Sequence, residues 1–116
     1  MVARTGEREA ADQIFAALSD ATRRDIVTRV LREQASVSAL ARKYDMSFAA
    51  VQKHVAVLER AGLVTKARRG REQLVSGDVT TIRAAAHLLS HYEEIWRGRI
   101  ARIEEILSPP TAGESP

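Results

Sequence analysis

The chain has 116 residues, a formal charge of +3 and no cysteine, which allows one domain with a small core and excludes disulfides, thiolate metal sites and cysteine nucleophiles. Six glycines and three prolines are too few for a fibrous or disordered chain, and aromatic residues at 4% leave the core to aliphatic side chains. No apolar run approaches the ~20 residues that cross a bilayer, and "MVARTGEREA" lacks the apolar centre of a signal peptide, so the chain reads as a cytoplasmic protein with no membrane partner.

In chain order, residues 1–8 are expected to be flexible and a domain to occupy 9–107. Ile14, Ala17 and Leu18 form a stripe of helical period. "LSDATRRDIV" restarts the pattern, with Ser19 or Asp20 as cap and Ile26, Val27, Val30 and Leu31 as buried candidates up to about Glu33. A short helix over Val37–Tyr44 follows, capped by Ser36, with Leu40 and Ala41 inward. Asp45 and Met46 make a turn. Ser47 caps the next helix, whose Phe48, Val51, Val55 and Leu58 stand at 3-4-3 spacing and predict a buried stripe. Gly62 fits its C-terminal cap.

After Gly62 the period changes. Leu63–Ala67 and Gln73–Ser76 favour strands, and the basic "RRGRE" between them predicts a hairpin. Asp78 or Thr80 opens a long helix on which Ile82, Ala85, Leu89, Tyr92, Trp96, Ile100, Ile103 and Leu107 keep near-heptad spacing. Pro109 and Pro110 stop it, and 108–116 reads as a disordered tail. The fold class is mainly α with a small β-hairpin, in the order α-α-α-α-β-β-α: a helix-turn-helix, a wing and a long terminal helix.

Charge is concentrated. Residues 42–71 hold eight basic side chains (Arg42, Lys43, Lys53, Arg60, Lys66, Arg68, Arg69 and Arg71) against Asp45 and Glu59, so the segment is +6 and the rest of the chain −3. Such a segment attracts a polyanion.

"FAALSDATRRDIVTRVL", "VSALARKYDMSFAAVQKHVAVLERAGLV" and "ARRGREQLVSGD" together resemble the ArsR family of winged helix-turn-helix repressors, over about residues 12–107. The resemblance implies a dimeric repressor of double-stranded DNA. Ser47 through His54 match the start of the family's recognition helix, Lys66–Arg71 its wing, and Ala10–Leu18 with Ile82–Leu107 its dimerising helices. The chain departs from the family at Phe48 and Ala49, where small or polar residues are frequent, at Lys53 before the familiar His54, and at Val55 in place of leucine.

With these matches, the DNA-contact candidates are Ser47, Phe48, Ala49, Gln52, Lys53, His54, Lys66, Arg68, Arg69 and Arg71, and the basic Arg42 and Lys43 of the preceding helix are candidates for the DNA backbone. The chemistry agrees: Gln52 can pair with adenine, Lys53 can reach guanine or phosphate, and His54 can donate to either. Phe48 meets a thymine methyl if outward and anchors the turn if inward. His54 has a packing alternative, and the wing arginines have that of a solvated turn. Arg23 and Arg24 fit either DNA contact or structural ion pairs. Ile14, Leu18, Leu89, Tyr92, Trp96, Ile100 and Ile103 are the dimer-interface candidates, since aromatic and aliphatic stripes favour interfaces. An inverted-repeat operator follows from a symmetric dimer.

Many family members sense metals. The stretch "SVSALA", where the resemblance places a cysteine pair, has Ser36 and Ser38 instead, so a soft-metal site there is excluded. His87, His91 and Glu94 share a helical face and form a weaker metal alternative. The ending "YEEIWRGRIARIEEIL" resembles metal-independent members with a tryptophan in the last helix, and no cofactor is expected. A small apolar effector in a dimer cleft is compatible with this, though no residue pattern identifies one. A winged-helix protein-interaction module is the rival reading. An enzyme is not expected, because the chain has no phosphate-binding glycine loop and no clear nucleophile–base pair.

Overall fold

The computed structural model of the chain describes residues 2–108, apart from the side chains of residues 2–5 and 7. Two units are distinct, the first Met1–Ala85 and the second beginning at Ala86. The elements are α1 (Val2–Ala17), α2 (Ala21–Arg32), β1 (Ala35–Ser36), α3 (Val37–Ala41), α4 (Phe48–Arg60), β2 (Val64–Arg69), β3 (Glu72–Gly77) and α5 (Val79–Leu107). This is a mainly helical winged helix-turn-helix with a small antiparallel sheet.

Three of the helices start on side chains that accept from otherwise unpaired first-turn amides. Asp20 Oδ2 accepts from Arg23 N at 3.0 Å, Ser36 Oγ from Ala39 N at 3.0 Å and Ser47 Oγ from Ala50 N at 3.1 Å. Ahead of α5, Asp78 Oδ1 accepts from Thr80 N at 3.0 Å, which decides between the two expected starts. The end of α4 is closed by a pair of bonds: Gly62 N donates to Glu59 O at 2.9 Å and Leu63 N to Leu58 O at 3.0 Å. That pairing needs a left-handed residue between helix and strand, and Gly62 supplies it with φ +79°.

The core of the first unit is aliphatic throughout, as the composition requires. Ile14 and Ala17 of α1 meet Ile26, Val27 and Val30 of α2 and Val51, Val55 and Leu58 of α4, closed by Val37, Leu40, Leu63, Val64 and Val75. Ile82 and Ala85, at the start of α5, pack on the edge of this cluster.

The sheet is larger than the expected hairpin. Its order is β1-β3-β2, with every pair antiparallel. Ala35 and Ser36 pair with Val75 and Leu74, a strand too short for alternation to be visible in sequence. At the hairpin tip Arg69 pairs with Glu72, leaving a two-residue loop of Gly70 and Arg71. Gly70 has φ +64° and no other kind of residue has positive φ among the described residues, the pattern of a type II′ turn.

Several expectations need correction. Leu31 is 45% exposed rather than buried; one side of it lies against β3, where a Cβ on Gly77 would stand 2.5 Å from Leu31 Cδ2. Phe48 does not join the buried stripe; it is 47% exposed. The helix expected to reach Tyr44 ends at Ala41. Helical backbone runs upstream of Glu9 to Val2, into residues expected to be flexible. Ser108 still donates to Glu104 O at 2.9 Å, while Pro109, Pro110 and the rest of the expected tail lie outside the described residues.

Gly62 generates a direct stability test. Its φ disfavours any side chain, and a Cβ there would stand 3.0 Å from Thr81 Oγ1. Gly62→Ala is expected to destabilise the protein by about 1–2 kcal/mol, read as a lower urea midpoint; an unchanged midpoint would refute the capping role.

Candidate nucleic-acid interface

Val51, Val55 and Leu58 fix the rotation of α4 by entering the core. Residues about a third of a turn away are thereby turned to solvent. Phe48, Ala49, Gln52 and Lys53 are all exposed and make one continuous face. Ser47 begins that face and orients the first-turn amides through its cap.

The wing closes one side of it. A cleft of about 230 Å³ is lined by Val37, Ser38, Phe48 and Gln52 from the two helices and by Arg68, Arg71, Glu72 and Gln73 from the hairpin. Gln73 carries no signal of its own in the sequence, yet the register brings it here: a two-residue loop places Arg68 opposite Gln73, so both side chains share a face. Arg42, Lys43, Lys53, Arg68, Arg69 and Arg71 are exposed, and none of them is in an ion pair among the described residues. Their charge is available to an external anion.

Lys66 differs from the other candidates. It is half-buried on the core side of β2, with Nζ 3.5 Å from Glu59 Oε1. Its charge ties β2 to α4 instead of extending the wing's cationic tip.

Arg23 and Arg24 are structural. Arg23 Nε donates to Ala17 O at 2.7 Å and Nη2 to Ala16 O at 3.3 Å, while Arg24 Nη1 donates to Leu18 O at 2.8 Å. These carbonyls lie at and just beyond the end of α1, where peptide oxygens lack helical partners and the dipole is negative. His54 is half-buried; its Nδ1 lies 3.3 Å from Arg23 Nη1 and 3.9 Å from Asp20 Oδ2.

A second polar group braces α2 against the turn after α3. Asp25 Oδ2 accepts from Tyr44 Oη at 2.5 Å and from Arg29 Nε at 2.8 Å, and the Arg29 guanidinium sits 5.7 Å from the Tyr44 ring centroid. The Tyr44 hydroxyl, with help from Arg29, holds the Asp25 carboxyl below the ordinary 3.8. Burial, reinforced by the Asp25 carboxylate, pushes Tyr44 up to about 12. The Arg23 amide is the main cause that holds Asp20 low, against opposing desolvation and with a smaller pull from His54.

Of the dimer candidates, Ile14 is buried in the core of its own unit and Leu18 packs against it; both serve the fold. Leu89, Tyr92, Trp96 and Ile103 are between 41% and 58% exposed, and Ile100 is half-buried. His87, His91 and Glu94 are the weaker metal alternative; no group of three or more His, Cys, Asp or Glu side chains among the described residues is placed to hold a metal. No helix among them is long and apolar enough to cross a membrane.

A capped helix presenting a polar face beside a basic hairpin defines the winged helix-turn-helix class of transcriptional regulator. Residues 18–67 match the helix-turn-helix domain family. The HTH-type transcriptional regulator YuzN of Bacillus subtilis is 42% identical over 72 residues, covering 55% of this chain and 77% of that protein. The ArsR-like transcriptional regulator from Rhodococcus sp. RHA1 superposes with a TM-score of 0.77 at 32% identity, over 90% of this chain and 99% of that one. The structure of ArsR family transcriptional regulator RHA00566 gives a TM-score of 0.74, also at 32% identity, over 78% of this chain and 93% of that one. The chain belongs to the ArsR-like superfamily of winged helix-turn-helix regulators.

The lowered carboxyls of Asp20 and Asp25 set a pH dependence. A carboxyl whose folded value is depressed contributes stability that is present above its unfolded value and lost as pH falls through the folded one. Thermal unfolding from pH 5 to 2 is therefore expected to fall more gently for Asp25→Asn than for the unsubstituted protein. Parallel curves would show that Asp25 adds no acid sensitivity.

Proposed function

We propose that this protein is a non-enzymatic, homodimeric transcriptional repressor that binds an inverted-repeat operator in double-stranded DNA through α4 and the β2–β3 wing. The reading is carried by one observation: the exposed face of α4 and the cations of the wing line the same cleft. An α-helix fits the major groove, where each base pair displays a distinct pattern of donors and acceptors. Gln52 has the paired donor and acceptor that match adenine. Lys53 reaches guanine acceptors or phosphate. The outward Phe48 and the small Ala49 suit a thymine methyl.

Affinity comes from elsewhere on the surface. Arg68, Arg69 and Arg71 meet phosphates or the edge of the minor groove, and Arg42 and Lys43 meet the backbone from beside α3. Such contacts release counterions and weaken as salt rises.

Dimerisation is supported by α5. Leu89, Tyr92, Trp96 and Ile103 keep heptad spacing and stay exposed, the pattern of a helix that buries its stripe against a second copy. Two recognition helices related by symmetry would read half-sites about 34–36 Å apart. With no cysteine in the chain, a thiolate metal site cannot be its trigger. Repression, as opposed to activation, follows the ArsR-like resemblance.

Two measurements test the reading. Against a duplex selected by the unsubstituted protein from random-sequence DNA, Gln52→Ala is expected to cost about 1–3 kcal/mol and relax preference at one position per half-site. Arg68→Ala and Arg71→Ala are expected to weaken all duplexes alike and to lower the salt slope by about 1 for each phosphate left without its arginine. Unchanged binding in all three variants would favour the protein-interaction reading. Separately, Tyr92→Asp with Trp96→Asp is expected to shift the protein to monomer in sedimentation and to reduce operator affinity; a persistent dimer would remove α5 from the interface.

A further inference from the structure

We propose that Ser38, Arg68 and Gln73 form one phosphate seat, which holds the strand of DNA backbone passing between α4 and the wing. The proposal rests on the function proposed above and assigns the cleft beside α4 its ligand.

Gln73 is located by the ladders on both sides of β3. On one side it faces Arg68 of β2. On the other, Ala35 pairs with Val75 and Ser36 with Leu74. The same register, carried one step further, brings the start of α3 level with Gln73. Side chains alternate along a strand, so Gln73 shares a face with Val75, which is fully buried. Arg68 shares that face with Lys66, whose Nζ reaches Glu59 of α4. Both side chains therefore project from the face of the hairpin that is turned to the helices, beyond the edge of the core. Glu72 also borders the cleft, but its carboxylate alternates to the other face, with that of its partner Arg69.

Ser38, Arg68 and Gln73 line the cleft of about 230 Å³ together with Phe48 and Gln52, and all three are exposed. Arg68 Nε donates to Gly70 O at 3.4 Å, which leaves both terminal nitrogens of its guanidinium without a protein partner among the described residues. The donors thus come from three separate elements: a guanidinium, a carboxamide and a hydroxyl. One positive charge matches one phosphodiester, and the neutral donors serve its remaining lone pairs. Groove geometry gives the reason for the place. With α4 in the major groove and the wing at the edge of the minor groove, one sugar–phosphate strand divides the two, and the gap between the two elements is this cleft. Charge and geometry then divide the work. Arg68 releases a counterion, so its loss lowers the salt slope. Gln73 and Ser38 fix the position of the phosphate without charge, so their loss weakens binding at an unchanged slope.

The test uses the full chain and a duplex selected from random-sequence DNA, in which single phosphates are replaced in turn by neutral methylphosphonates. At one position per half-site, the replacement is expected to cost less affinity in Arg68→Ala, Gln73→Ala and Ser38→Ala than in the unsubstituted protein. Gln73→Ala and Ser38→Ala are each expected to bind about fivefold more weakly, with base preference and salt slope unchanged. Gln73→Lys adds a cation at the same seat and is expected to steepen the salt slope by about 1, a gain that misfolding cannot produce. Sensitivity of Arg68→Ala and Gln73→Ala to different phosphates would overturn the proposal. Relaxed preference for one base pair in Gln73→Ala would overturn it too, by making Gln73 a base reader. If the unsubstituted protein selects no duplex, the DNA reading fails and the seat fails with it. Selection of a duplex, followed by an unchanged slope in Gln73→Lys, refutes the seat alone.

Discussion

Burial of Val51, Val55 and Leu58 dictates how α4 is used. Each is essentially inaccessible, and burying one such side chain is worth roughly 1.5–3 kcal/mol. Turning the helix by one residue's rotation would pull this stripe from the core and drive Gln52 and Lys53 toward it. The cost of stranding those polar groups adds to the lost apolar burial. The helix therefore has one stable rotation, and that rotation exposes Phe48, Ala49, Gln52 and Lys53 together. The same residues that make the core make the outward face a defined surface.

The wing inherits its position from the same helix. Gly62 ends α4 and Leu63 turns back to donate to Leu58 O, so β2 starts at a fixed point beside α4. Val64 and Val75 then enter the core, and the ladder sets which residues share a face. Lys66, on the side of Val64, is drawn to Glu59. Arg68 lies two residues further on, past the reach of the core, and keeps its charge free beside Gln52. A basic segment of +6 is thus sorted by register into one structural cation and several available ones.

Much of this is legible in the sequence because it is local. Caps at Asp20, Ser36 and Ser47, the stop at Gly62 and the turn at Gly70 each depend on a few neighbouring residues. What the sequence hides is tertiary. The pairing of Ala35 and Ser36 with β3 joins residues far apart in the chain, and two residues carry no period. Phe48 fits the 3-4-3 spacing, yet it stands at the first turn of α4, beyond the reach of the buried stripe. Leu31 has a buried pattern, but β3 offers it only the bare backbone of Gly77. Lys66 reads as one more wing cation until Glu59 is placed beside it. Arg23 reads as either a DNA contact or an ion-pair residue until its carbonyl partners at the end of α1 and His54 on α4 are placed beside it.

The long helix raises a different physical question. α5 runs for 29 residues without one buried side chain among them. Helical propensity alone stabilises such a segment weakly in water, and most helical stability in proteins comes from packing an apolar face. Among its exposed apolar residues, Leu89, Tyr92, Trp96 and Ile103 recur at heptad positions, with Val79, Ile95, Ile106 and Leu107 also exposed, and Arg97 and Glu93 pair one turn apart at 3.3 Å. An ordinary surface carries isolated apolar residues without consequence, but a run of this period on one helix calls for an apolar partner surface. In the proposed dimer, a second copy of the same helix offers the complementary stripe at no cost in new sequence. On the function proposed above, the stability of α5 and the symmetry of an operator are two consequences of that single association.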